Sequence, residues 1–500
     1  MFMGIDLGTS GVKAILLDRG DHVIASASAA LSLLPQPAGC GLWREQAPAD
    51  WWRATEEAVV ALLASARAGG ADPSAIEAIG LTGQMHGATV LDADGEVLRP
   101  AILWNDGRSF AECAELEQRV PQSRAITGNI MMPGFTAPKL LWLARHEPKV
   151  FERIAKVLLP KDWLRFRLTG VYASDMSDAA GTMWLDVARR DWSDALLAAT
   201  GLTRSHMPSL HEGPQITGSL DPAIARRWGL APVPVVAGAG DNAAGAIGVG
   251  IVRPGQAMLS LGTSGVYFAA SDGFLANPER AVHSFCHALP STWHLMSVML
   301  SAAACLDFTA RLTGYADVPA LLADAERHED GLPNRAAPLF LPYLSGERTP
   351  HNDPNAQGVF FGLNAATVRA DLARATLEGV GFGLCDGIEA VAATGLVAAD
   401  ITLIGGGSRS AYWAQMLADI TGCALTRREG GDVGPALGAA RLARLGMAMH
   451  TGEPAPLAEI CPVPRRIDTF EPDAGRHRLY AERRETFQRL YRQLQPLFAV

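Results

Sequence analysis

The 500-residue sequence has no Gly-Lys dipeptide, so it lacks the phosphate loop that closes on Gly-Lys-[Ser/Thr], and it lacks the Gly-x-Ser-x-Gly turn that presents a nucleophilic serine. These absences exclude P-loop nucleotide hydrolases and the common α/β-hydrolases. Cysteine is sparse: seven residues (40, 113, 286, 305, 385, 423 and 461), odd in number and never spaced Cys-x-x-Cys, which argues against a disulfide framework or a zinc ribbon. A reduced, cytoplasmic setting is expected. No apolar run approaches the ~18 residues of a membrane span, and no basic flank or cleavage site accompanies the strand-like start, so neither a spanning helix nor a secretory leader is expected. There is no Lys/Arg-rich block: 43 basic against 52 acidic side chains give a formal charge of −9, unsuited to nucleic acid or an anionic membrane as the main partner. A small neutral or cationic ligand, or an anion held by a local site, remains open.

At 48% hydrophobic and 19% charged, the chain can bury a large core. A single core rarely grows past about 250–300 residues, so two domains are expected. Gly4-Ile5-Asp6-Leu7-Gly8 predicts a buried strand, Thr9-Ser10-Gly11 a turn, and Val12 to Leu17 a second strand. The stretch to the next turn, Arg19-Gly20-Asp21, is too short for a crossover helix, so the two strands are expected to pair antiparallel, with His22 to Leu31 as a third. A helix is expected from Asp50, as its N-cap, to Gly69-Gly70. The most informative feature is a repeat: Leu7-Gly8-Thr9-Ser10-Gly11-Val12 recurs letter for letter as Leu261-Gly262-Thr263-Ser264-Gly265-Val266. Two related lobes follow, meeting near residues 235 to 250.

A Thr-Ser-Gly turn aims backbone N–H groups and hydroxyls at one point, a concavity suited to phosphate oxygens, and two facing copies would clamp a polyphosphate. Each copy alone reads equally well as an ordinary hairpin. Asp6 and Lys13 flank the first turn, whereas Ser260 and Tyr267 hold the matching sequence places in the second, so only the first offers a carboxylate for hydrated magnesium and an ammonium. Val235 to Gly245 reads as a strand, a glycine turn and a small-residue helix. Asp241 inside that turn argues against a dinucleotide fingerprint and fits a general base beside a substrate hydroxyl, with a helix N-cap as the alternative. Ile401 to Ile404 followed by Gly405-Gly406-Gly407-Ser408 offers a flat turn for an adenine, or merely tight packing. Gly83-Gln84-Met85-His86-Gly87 and Trp104-Asn105-Asp106-Gly107-Arg108 follow predicted strands, where α/β sheets bind ligands. His283, Cys286, His287 and His294 lie close in sequence, but Phe285 to Leu289 reads as a strand and a metal site is not favoured.

Taken together, the Asp6 to Lys13 hairpin, its repeat, Asp241 and the Gly405 turn resemble the sugar-kinase branch of the actin and hexokinase superfamily. Gly134-Phe135-Thr136-Ala137-Pro138-Lys139 and on to His146 resembles the first signature of the FGGY carbohydrate kinases. Gly358 to Leu363, continuing through Asp371-Leu372 to Ala375-Thr376-Leu377-Glu378, resembles the second. The loops at 84–86 and 104–108, with Pro342 to Pro350, are similar to those of members acting on D-xylulose. The resemblance implies two ribonuclease-H-like α/β lobes around a cleft, residues 1–240 binding sugar and 241–500 binding ATP. It implies ATP as co-substrate with Mg2+, Asp241 as proton acceptor, and Asp6 acting on magnesium through water. Sugar contacts would come from Met85, His86, Trp104, Asn105, Asp106 and Asn242. Gly8, Thr9, Ser10, Lys13, Gly262, Thr263, Gly405, Gly406, Gly407 and Ser408 would hold ATP. A homodimer is compatible with it. Two other readings stay open: a kinase for ribulose, glycerol or gluconate, and a non-enzymatic ATP-driven switch.

Overall fold

Strands Phe2–Leu7, Gly11–Leu17 and Val23–Ala30 form the antiparallel meander expected from the short connections, and Ala78–Gly83 then adds parallel to Phe2–Leu7. The computed structural model describes residues 1–328, 337–429, 434–454 and 456–498. Pro234–Val236 and Ala239–Gly240 extend this first sheet on the parallel side. The second sheet repeats the plan: Gln256–Leu261, Gly265–Ser271 and Trp293–Met299 form a meander, and Asp400–Ile404 then Leu425–Arg428 continue parallel from Gln256–Leu261. Each sheet, with its helices, is a ribonuclease-H-like lobe.

The identical hexapeptides fold with different registers. In the first hairpin Leu7 pairs with Val12 and Asp6 with Lys13, whereas in the second Leu261 pairs with Gly265 and Ser260 with Val266. The second turn is one residue tighter, with Gly262 N–H on Ser264 O (3.1 Å) where Gly8 N–H reaches Gly11 O (3.0 Å). Its carbonyls are drawn inward by a helix start, Ala303 N–H binding Gly262 O and Ala302 N–H binding Thr263 O, both at 2.9 Å. A one-residue slip turns every outgoing side chain over. Val12 is therefore core while Lys13 is half-buried, and Val266 is half-buried while Tyr267 is core. Tyr267 is not the structural counterpart of Lys13.

Helix Pro48–Ala68 covers the first meander through Trp51, Thr55, Val59 and Leu62. It begins earlier than the sequence predicts, because proline is well suited to the first turn, and Ala47 rather than Asp50 is its cap. Helices Asp241–Gly248 and Pro435–Thr451 pack on each other so closely that a Cβ on Gly438 would lie 1.8 Å from Ala244 O. The latter helix, from the second half of the chain, lies on the first sheet: Cβ atoms on Gly4 and Gly80 would fall 2.0 and 1.8 Å from its carbonyls at Ala436 and Ala439. Helix Arg369–Ala392 backs the second lobe, and its Glu378 forms a buried ion pair with Arg483 of the terminal helix Ala474–Phe498. An apolar cluster crosses between lobes, joining Met132 and Phe135 to Phe285 and Met296.

Candidate active site

A cavity of about 250 Å3 opens at the junction of the lobes, with Met85, His86, Trp104 and Asp241 on one wall and Val266, His283, Met296 and Arg348 on the other. His86 follows the sheet strand Ala78–Gly83 and sits at φ 68°, a left-handed conformation that costs a β-carbon residue energy and persists only where its surroundings impose it. They do so here. Its carbonyl accepts from Lys139 Nζ (2.9 Å) and Thr136 Oγ1 (3.2 Å), and its Nδ1–H donates to Gly181 O at 2.8 Å. A Cβ on Gly181 would strike the ring at 2.4 Å. Burial, aided by the Lys139 charge, holds the imidazole pKa down at about 3, so the ring is neutral and its Nε2 is an acceptor. Lys139 is itself buried, its pKa lowered to about 7 by desolvation, and it also donates to Gly134 O (2.7 Å). Gly134 in turn lies against Trp104, where a Cβ would be 2.5 Å from the tryptophan carbonyl.

Trp104 Nε1 donates to Thr9 Oγ1 (2.9 Å), Thr9 donates to Gln84 (3.0 Å), and Gln84 donates to Gln46 (2.9 Å). The tip of the first hairpin is thereby tied to the cavity wall. Asp241 opens helix Asp241–Gly248 after a turn that only glycine accommodates: Gly238 has φ 77° with Leu81 O 1.9 Å from where a Cβ would stand, and Gly240 lies under Met85. Gly240, not Asp241, is the helix cap, and the Asp241 carboxylate accepts from the Asn242 backbone (2.7 Å) and side chain (3.0 Å). Burial raises the Asp241 pKa to about 6. Asp6 rises further, to about 7, through burial and then the Asp241 charge, with Lys13 opposing. Its Oδ1 is buried without a hydrogen-bond partner among the described residues. Two carboxylates near one another, one of them with a vacant oxygen, suit a hydrated divalent cation.

Gly405, at φ 86°, and Gly407 both press on Leu261 at the root of the second hairpin, where Cβ atoms would come within 2.8 Å of it. Gly406 faces open space, and the Ser408 hydroxyl folds back on Gly405 O at 2.7 Å. Ser264 reaches the cavity margin. Two expected contacts are not brought to the cavity. Asp106 is buried in an ion pair with Arg108 and accepts from the Arg44 backbone, and Asn105 is exposed to solvent beside it. A reverse turn sends these neighbours of Trp104 away from it. The histidines of the second lobe serve packing and hydrogen bonding: His287 meets Ile251 O, His294 stacks on Phe268, and the strand stops at Cys286.

The family model for the N-terminal domain of the FGGY family of carbohydrate kinases matches residues 1–248, and that for the C-terminal domain matches residues 257–447. The chain belongs to the FGGY family of carbohydrate kinases. It is 60% identical to the xylulose kinase of Escherichia coli and 58% identical to that of Klebsiella pneumoniae, in each case over 100% of both chains. A solved structure described as a xyloylose kinase from Brucella ovis superposes with a TM-score of 0.92 at 48% identity, covering 99% of each chain.

In this FGGY kinase the first signature lines the cavity through Gly134 and Phe135 and braces it from behind through Thr136 and Lys139. Gly134, Thr136 and Lys139 fix the backbone of Trp104 and His86, while Phe135 meets the His86 ring edge-on at 4.9 Å. The second signature ends on Glu378, which anchors the last helix, and Gly379 just past it admits the strand Leu339–Pro342 (a Cβ would lie 2.2 Å from Phe340 O). Sequence reasoning missed the whole second-lobe wall. Arg348 lay in a quoted run without a role, and Val266 was hidden by the register change.

Proposed function

We propose that this protein transfers the γ-phosphoryl group of ATP to a hydroxyl of D-xylulose, giving D-xylulose 5-phosphate. The observation that carries the reading is Asp241: a half-buried carboxylate with a raised pKa, on a glycine turn, lining a sugar-sized cavity that the second hairpin reaches through Ser264. The full-length likeness to xylulose kinases supports the choice of sugar. The neutral His86, Met85, Trp104 and Asn242 orient the sugar, and Asp241 takes the proton from the attacking hydroxyl as its oxygen bonds to phosphorus. Lys13 and the hairpins at Gly8-Thr9-Ser10 and Gly262-Thr263 face the phosphates, with Gly405 to Ser408 beside the adenine. Asp6 would hold Mg2+ through water, and that ion would supply charge neutralisation on the phosphates. The lobe of residues 1–240 carries most sugar contacts, and that of 241–500 carries ATP.

The test is ADP release, coupled to a spectrophotometric readout, over D-xylulose, D-ribulose, glycerol and gluconate. D-Xylulose should give the highest kcat/KM, with turnover abolished by chelating Mg2+. A higher value for any other member, or sugar-independent ATP turnover as the only activity, would overturn the reading.

A further inference from the structure

The second-lobe wall carries one permanent cation, Arg348, in the loop between strands Leu339–Pro342 and Gly358–Phe361. Its Nη1 donates to His283 Nε2 at 3.2 Å, while His283 Nδ1–H donates to Asn129 Oδ1 at 3.3 Å, so the imidazole is fixed as a neutral acceptor for the guanidinium. The loop is pinned to the sheet by Thr349, whose N–H meets Val298 O (3.1 Å) and whose hydroxyl receives Val298 N–H (3.0 Å). Arg348 Nε and Nη2 make no hydrogen bond among the described residues. The fork is therefore held at one tooth and has donors to spare at the cavity.

An inventory of the walls gives those donors a use. Asp241 and His86 Nε2 offer acceptors, which any sugar hydroxyl can satisfy by donating. Trp104 Nε1 is committed to Thr9 and one Asn242 Nδ2 hydrogen to Asp241, which leaves Arg348, the second Asn242 hydrogen and the Ser264 hydroxyl as side-chain donors; Asn242 stands beside Asp241 and Ser264 on the phosphate hairpin, so Arg348 is the donor of the second-lobe wall away from the phosphates. Beside Arg348 the wall is otherwise Met296 and Val298, and the one imidazole acceptor is already occupied. A hydroxyl placed there could accept from the guanidinium but would find no open acceptor on that wall for its own proton, and would have to turn it across the cavity toward His86. A carbonyl oxygen accepts only, and suits a donor-only fork without leaving a polar hydrogen unpaired.

We infer that Arg348 reads the carbonyl oxygen of the sugar, making it the residue that selects a keto-sugar over the corresponding polyol. The inference rests on the reading of the protein as a D-xylulose kinase. Its test compares kcat/KM for D-xylulose with those for xylitol and D-arabitol, the two polyols that differ from it only by a hydroxyl in place of the ketone. Arg348→Met should lower the xylulose value at least thirtyfold and the polyol values less than threefold, with the KM for ATP within twofold of wild type. Arg348→Lys, which keeps the charge and loses the fork, should still reduce the ketose-to-polyol ratio at least threefold. Equal losses on ketose and polyols, an unchanged ratio in Arg348→Lys, or a KM for ATP that rises in step would each overturn the assignment. Wild-type protein inactive on D-xylulose would instead overturn the proposed function, and this assignment with it.

Discussion

Replacing Asp241 by asparagine isolates the proton-accepting step. The asparagine carbonyl can still accept from the Asn242 backbone, which the carboxylate does at 2.7 Å, so the helix start is kept. What changes is the other oxygen, which becomes an NH2 and can no longer take a proton. General bases contribute about 10²–10⁴ in rate, so kcat should fall at least about a hundredfold, roughly 2.7 kcal/mol of transition-state stabilisation, with sugar and ATP still binding by calorimetry. The pH profile gives a second, independent readout. A base must be ionised to act, and burial has moved the Asp241 pKa up to about 6, so wild-type kcat/KM should decline as pH falls through about 6 rather than about 4. Asp6 titrates nearby and is raised partly by the Asp241 charge, so the observed midpoint belongs to the pair. In Asp241→Asn that charge is gone, Asp6 moves down, and the acidic limb should shift to lower pH along with the loss of rate. A folded variant turning over within threefold of wild type, with the acidic limb unmoved, would refute the assignment of Asp241 as base.

Gly181→Ala should push the His86 ring out of place, since the added Cβ would meet it at 2.4 Å, and should raise the KM for D-xylulose tenfold or more while the KM for ATP stays within twofold; equal changes in both would count against His86 as a sugar contact. Arg483→Met takes one of two arginine partners from the buried Glu378 carboxylate, whose other oxygen keeps Arg374 at 3.2 Å, and should cost about 1–3 kcal/mol, read as a lowered unfolding midpoint, while Arg374→Met in the same chain removes the second partner and should cost more than the two single changes added together. A double variant no worse than that sum would mean that Arg483 acts through Ala337 and Pro338 O instead.

Local features were legible in the sequence wherever one segment determined the outcome. Short connections forced the first meander, and the hexapeptide repeat announced two lobes with a hairpin in each. The Asp241 turn could be read because glycines and a lone carboxylate leave few alternatives. The fate of Asp106 could not, because a carboxylate two residues before an arginine has the same spelling whether it faces a sugar or folds onto that arginine. The second-lobe wall was illegible for a similar reason. His283, Met296 and Arg348 converge from separate strands and a loop, and nothing in their spacing records that meeting.

The repeat also shows why identical letters need not do identical work. Leu-Gly-Thr-Ser-Gly-Val enters both turns with the same alternation, Leu7 and Leu261 in their cores and Asp6 and Ser260 less buried. What differs is the exit. In the first lobe the looser turn sends Val12 to the core, so that Lys13 joins Asp6 on the opposite face of the sheet. In the second, the amides of Ala302 and Ala303 tighten the turn by one residue, so Tyr267 goes to the core and Val266 lines the cavity. One lobe thus supplies the charges and the other an apolar wall, from the same six residues. The asymmetry is set by a helix start forty residues downstream, and lengthening that turn by one residue would exchange Val266 for Tyr267 on the cavity side.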